Sequence, residues 1–127
     1  MRLLATLDAW SPQTARATAV LREDSPFARR DGLLERTVHA ELIAQCFAAG
    51  SGACLREAGG TVPDLGYLAA LRDMEVLADA RVGQPLAVDV RVTGQLGGIT
   101  VVEGEVHGGD VLLARGQIKV FLPEAEA

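Results

Sequence analysis

A single carboxylate, Glu41, stands near the start of an otherwise apolar run from Val38 to Leu55, with an amide, Gln45, four residues further on. On a helix this spacing sets the two side chains one turn apart on a common face, while Leu42, Cys46, Ala49 and Ala53 define a neighbouring face. Apolar surroundings disfavour the charged form of a carboxyl group, so it can hold a proton at neutral pH and serve as a general acid. A structural reading competes, in which an arginine such as Arg36 or Arg72 neutralises Glu41 at a subunit interface. Gln45 either hydrogen-bonds backbone inside the core or orients Glu41 or a substrate. The two histidines are His39 and His107. His39 lies two residues before Glu41, which at 3.6 residues per turn points it about 160° away. A direct dyad within one chain is disfavoured, and His39 is weighed as a catalytic residue against a packed or interface histidine. His107 precedes the Gly108-Gly109 turn and reads as a surface residue. Neither histidine has metal-ligand spacing to a second candidate.

These residues need a helix to hold them and something to surround it. A helix that is apolar all round is buried all round. Its expected span is about residues 33–58, with Asp31 or Gly32 as the cap. Gly59-Gly60 ends it, and Pro63 cannot continue it. Strand patterns supply the wrapping. Residues 2–7 read as a short strand or a helical turn, broken by Trp10-Ser11-Pro12. Residues 14–22 alternate as a strand, Glu23-Asp24-Ser25-Pro26 turns the chain, and residues 27–32 form a polar loop carrying Arg29 and Arg30. Residues 65–77 are apolar-rich, 81–85 make a turn, and 86–92 alternate strictly. Turns at Gly97-Gly98 and Gly108-Gly109-Asp110 separate strands over 99–107 and 111–122, an expected antiparallel meander. The acidic tail, 123–127, is expected to fray.

The 127 residues suit one domain, 1–127, and 49% apolar against 23% charged residues exclude disorder. A formal charge of -5 argues against nucleic acid or an anionic membrane as partner through a general basic surface. Cys46 and Cys54, about 12 Å apart along the helix axis, are too distant for a disulfide within it and read as small buried hydrophobes of a reducing compartment. The N-terminal apolar patch ends at Asp8, so neither a signal peptide nor a spanning helix is expected and the cytoplasm is the default.

One long buried helix with an antiparallel sheet curled round it is the α+β layout of the hot-dog fold. Glu41-Leu42-Ile43-Ala44-Gln45 resembles the Glu-x-x-Ala-Gln helix motif of the hot-dog 3-hydroxyacyl-acyl-carrier-protein dehydratases of fatty-acid and polyketide synthesis. Residues 66–76, and then Val82-Gly83-Gln84-Pro85-Leu86, resemble that family's strand and its following Pro-Gly-Asp-type turn, in the same order. The segment Asp24-Ser25-Pro26-Phe27, leading into the Glu41 motif, is similar to the divergent dehydratase-like subunits of aryl-polyene-type biosynthetic clusters.

The resemblance implies a dehydratase chemistry. A base removes the α-proton of a 3-hydroxyacyl thioester and an acid protonates the departing hydroxyl, tasks shared in the family by a loop histidine of one protomer and the helix carboxylate of the other. Helix N-terminal amides serve the thioester carbonyl. Glu41 takes the carboxylate's place. The histidine is the departure, because the loop of residues 26–34 has none and Phe27 stands about where it belongs. A homodimer therefore lacks the usual dyad, whereas a heterodimer with a histidine-bearing hot-dog subunit completes it. The implied partners are that subunit and acyl-carrier protein, which Arg29 and Arg30 could meet through its acidic surface or its phosphopantetheine phosphate. No cofactor is implied beyond the phosphopantetheine arm that carries the substrate. Two other functions share the same residues: a hot-dog acyl thioesterase, in which Glu41 activates water or attacks the thioester, and a non-catalytic subunit that binds acyl chains or supports a partner dehydratase.

Overall fold

The computed structural model describes residues 2–60 and 70–121. Helix α1, Val38–Glu57, is the one helix among them. Val38, His39, Leu42, Ile43 and Cys46 are all essentially inaccessible, whereas Glu41 and Gln45 are half-exposed. One flank of the apolar run therefore stays open.

The helix begins five residues later than its sequence pattern implies. Asp31 and Gly32 do not cap it: Asp31 Oδ1 instead accepts the Leu33 amide in a local turn, at 3.1 Å. Leu33 and Leu34 are then used as ribbon. Leu34 N donates to Ala80 O at 2.8 Å, and Leu33 bridges Arg81. Those backbone bonds hold the segment extended, so the helix starts only after Thr37, whose side chain makes no capping bond. The C-terminus follows expectation. Gly59 has φ 78°, its amide bonds to Arg56 O, and the Gly60 amide bonds to Leu55 O, which closes the helix as a Schellman motif.

Six strands wrap α1 in one antiparallel sheet of order β1-β2-β4-β5-β6-β3. They are β1 Leu4–Trp10, β2 Thr14–Ala19, β3 Ala70–Val76, β4 Leu86–Leu96, β5 Ile99–Gly108 and β6 Val111–Phe121. The first segment is thus a strand. β2 stops at Ala19, short of residue 22, because its partner β4 begins opposite at Leu86 and the preceding Pro85 has no amide to extend the ladder. β4, β5 and β6 form the expected meander, but the whole sheet does not. β3 crosses to the far edge and pairs with β6, so β2 lies directly against β4. The segment 61–69, including Pro63 and the start of the apolar-rich stretch before β3, and the tail 122–127 lie outside the described residues.

Alternation supplies the core. Ala15, Ala17 and Ala19 of β2, Leu86, Val88 and Val90 of β4, and Val102 and Val106 of β5 are buried on the helix side. The intervening side chains are mostly charged. Gly104 falls at an inward position where a methyl group would sit 2.6 Å from Ile43 Cγ2, so only glycine lets helix and sheet approach this closely. Burial of Ile43 alone contributes about 1.5–3 kcal/mol.

Candidate active site

Glu41 occupies the first turn of α1, near the positive end of the helix dipole. Gln45 stands one turn on and donates from Nε2 to Glu41 Oε1 at 3.3 Å. Its own Oε1 accepts the Leu3 amide at 2.7 Å. The backbone bond settles which end of the amide faces which neighbour, because Leu3 N–H can only donate. The half-exposed Gln45 side chain thus satisfies the backbone just before β1 and presents an N–H to the carboxylate. No sequence signal pointed to Leu3, since every residue but proline carries that amide.

Of the two arginines of the structural reading, Arg36 is paired elsewhere. Arg36 Nε bonds Asp79 Oδ1 at 3.2 Å, on the loop after β3. Arg72 lies on β3 opposite Ile118, its side chain outside the described features.

His39 goes where the 3.6-residue period sends it, away from Glu41. It is 1% exposed, and its Nδ1 has no hydrogen-bond partner. Burial pushes its pKa below the ordinary histidine value; Asp79 opposes that shift and Arg36 adds to it. His107 is half-exposed on β5, with Nε2 3.9 Å from Glu105 Oε1. At the position where the resemblance calls for a histidine, Phe27 packs half-buried against the core, and its carbonyl accepts the Glu35 amide at 2.8 Å. A phenyl ring has no proton to give or take. Arg29 pairs with Asp31 at 2.8 Å and Arg30 is exposed. The amides of Val38 and His39 are engaged by the Glu35 and Arg36 carbonyls, which leaves them turned into the protein's own turn.

Both cysteines are free, with Cys46 buried and Cys54 half-buried. The Cys46 thiol reaches towards Val88 O at 3.7 Å, and burial pushes its pKa up to about 12, so it is a packing residue and no nucleophile. Among the described residues no group of three or more metal-ligating side chains converges, and no helix is long and apolar enough to cross a membrane. A cavity of about 840 Å³ lies on the sheet face that carries the charged side chains. It is lined by the ion pairs Arg16–Asp89, Arg91–Glu103 and Arg115–Glu75, of 2.6, 2.9 and 3.1 Å. It does not include Glu41, and paired exposed charges of this kind mark a solvated face.

A six-stranded antiparallel sheet round one long helix, with a glutamate and glutamine presented from that helix's first two turns, defines a hot-dog protein. The chain belongs to the ApeP-like dehydratase family, whose model matches residues 1–127. Its fold is similar to that in the dehydratase heterocomplex ApeI:P from Xenorhabdus doucetiae, with a TM-score of 0.86 at 21% identity over 97% of this chain and 84% of that one. It is also similar to an uncharacterized protein from Pyrococcus horikoshii, with a TM-score of 0.73 at 14% identity over 98% of this chain and 86% of that one. Thioesterase superfamily member 2 from Mus musculus gives a TM-score of 0.69 at 15% identity, covering 93% and 81%. No curated protein sequence matches the chain.

Proposed function

We propose that this chain is the carboxylate-bearing subunit of a heteromeric dehydratase acting on 3-hydroxyacyl thioesters of acyl-carrier protein, with the histidine supplied by a second hot-dog subunit. The observation that carries the reading is the Glu41–Gln45 pair: a half-exposed carboxylate oriented by an amide, itself anchored to backbone, in a chain whose loop offers Phe27 where a histidine is needed. The family membership supports the reaction class, and a heterocomplex of similar fold supports the division of labour.

In this reading Glu41 is the acid. It delivers a proton to the departing 3-hydroxyl as the partner's histidine takes the α-proton, and the elements of water leave. Gln45 keeps the carboxyl group facing the substrate. Pairing runs through β3, the outer strand that lies against β6 over seven consecutive residues without a register shift and presents an unbroken edge. β1, at the other edge, carries two register shifts within seven residues, which blunt it against pairing. The protein works in the cytoplasm, where acyl-carrier substrates are made.

The test is mass spectrometry of a 3-hydroxyacyl-carrier protein incubated with this chain, with a histidine-bearing hot-dog partner, and with both. Loss of 18 mass units, on the order expected for one water, only in the mixture and not with Glu41→Gln, supports the shared site. Full turnover with Glu41→Gln would sink it. The similarity to a thioesterase fold favours a second reading, hydrolysis, which the same samples report as release of free carrier thiol.

A further inference from the structure

We propose that the buried imidazole of His39 is an acid-sensitive latch: while neutral it lets the first turn of α1 pack against the loop after β3, and on protonation it releases that turn. His39 takes no part in the dehydratase reading, yet it is the most buried polar side chain among the described residues, at 1% exposure, and its Nδ1 is unpartnered. A neutral imidazole tolerates one nitrogen without a partner, because only the other must donate. An imidazolium carries two N–H donors and a charge, and a buried pocket that offers Nδ1 no acceptor disfavours it.

The surrounding turn is built to let go. Thr37 makes no side-chain cap, and the Val38 and His39 amides are held by the backbone carbonyls of Glu35 and Arg36. Arg36 reaches Asp79 at 3.2 Å, Leu34 N donates to Ala80 O at 2.8 Å, and Val82 N donates to Gly32 O at 3.0 Å. The charged groups that act on the ring are Asp79, from the loop after β3, and Arg36, from the segment before α1. Asp79 favours the imidazolium, Arg36 opposes it, and the positive end of the helix dipole opposes it further.

The direction with pH follows from burial, which keeps the closed-state pKa below the ordinary value. The opened state takes up a proton near pH 6.5, about the unperturbed histidine value, while the closed state does not. Closure is therefore complete above about pH 6.5, and below it the opening equilibrium grows by up to about tenfold per pH unit until the closed state also protonates. The released turn carries Glu41 two residues on, so acid would also quench the enzyme. That consequence rests on the proposed function, whereas the latch does not.

Hydrogen exchange on the full chain between about pH 7.5 and 5, corrected for the intrinsic amide rate, tests the latch without any substrate. The expected result is opening of residues 35–41 and 77–82 as pH falls, with β4 to β6 unaffected. His39→Phe, a ring with no proton to take, loses that dependence, and His107→Gln keeps it. Should His39→Phe fail to fold, the ring signals of His39 in the wild-type chain decide by NMR: they remain those of a neutral imidazole until the two segments open. Unchanged pH dependence in His39→Phe, or protonation of His39 with both segments still protected, overturns the proposal.

Discussion

The first turn of α1 carries two titratable side chains two residues apart, and the protein treats them in opposite ways. Glu41 stands half-exposed with an amide donating to it, on the flank that the strands leave open. His39 is sealed on the other flank with a nitrogen unpartnered. The same 3.6-residue period that puts Gln45 under Glu41 puts His39 out of reach of both. Chemical capability is thus common to the two residues, and access separates them. On the proposed function, the group that meets substrate is held by a neighbour and left accessible; a group that is buried neutral becomes sensitive to conditions that would charge it.

The largest expected effect separates the two flanks directly. In the reconstituted pair, Glu41→Gln lowers turnover by about 10²–10⁴-fold, the usual contribution of a positioned acid, and leaves the melting temperature unchanged. His39→Gln does the reverse at pH 7.5, keeping turnover near wild type while costing about 1–3 kcal/mol of stability by denaturant melt. Loss of turnover in a folded His39→Gln chain would erase the distinction. Next in size is Gly104→Val. The branched side chain has no room against Ile43, and chemical denaturation is expected to report a loss of about 1–3 kcal/mol, with the sealed flank of α1 pushed off the sheet.

Gln45→Leu acts on the open flank alone. It removes the donor to Glu41 and the acceptor for the Leu3 amide, so turnover drops roughly tenfold and about 1–3 kcal/mol of stability is lost through the orphaned backbone group. A kinetic assay beside a thermal melt separates the two consequences. The smallest effect is that of Arg36→Ala, whose exposed ion pair is worth about 0–1 kcal/mol. The sign of its pH effect is the informative part: the cation that opposes a charged His39 is gone, the closed-state pKa moves up towards the opened-state value, and the acid-driven growth of opening by hydrogen exchange should level off at a higher pH and be smaller than in the wild type.

Much of this was written in the chain order. The apolar run made a buried helix inevitable, the spacing of Glu41 and Gln45 fixed their common face, and glycine at position 59 ended the helix where only a left-handed residue fits. Period-two alternation over residues 86–92 declared a half-buried strand, because the pleat sends successive side chains to opposite faces. These features are local, set by dihedral preference and by which side chains can tolerate water.

The tertiary structure decided what depends on distant neighbours. The helix start moved from residue 33 to Val38 because Ala80 and Arg81, more than forty positions away in sequence, draw Leu33 and Leu34 into backbone pairing. β3 left the meander for the far side of β6, a pairing that no local pattern encodes. The anchoring of Gln45 by the Leu3 amide, and the burial of His39 beside Arg36 and Asp79, likewise arise only when separate segments meet. Local sequence fixes which groups a residue offers, whereas solvent access and hydrogen-bond partners belong to the assembled fold, because they depend on what the rest of the chain places around it.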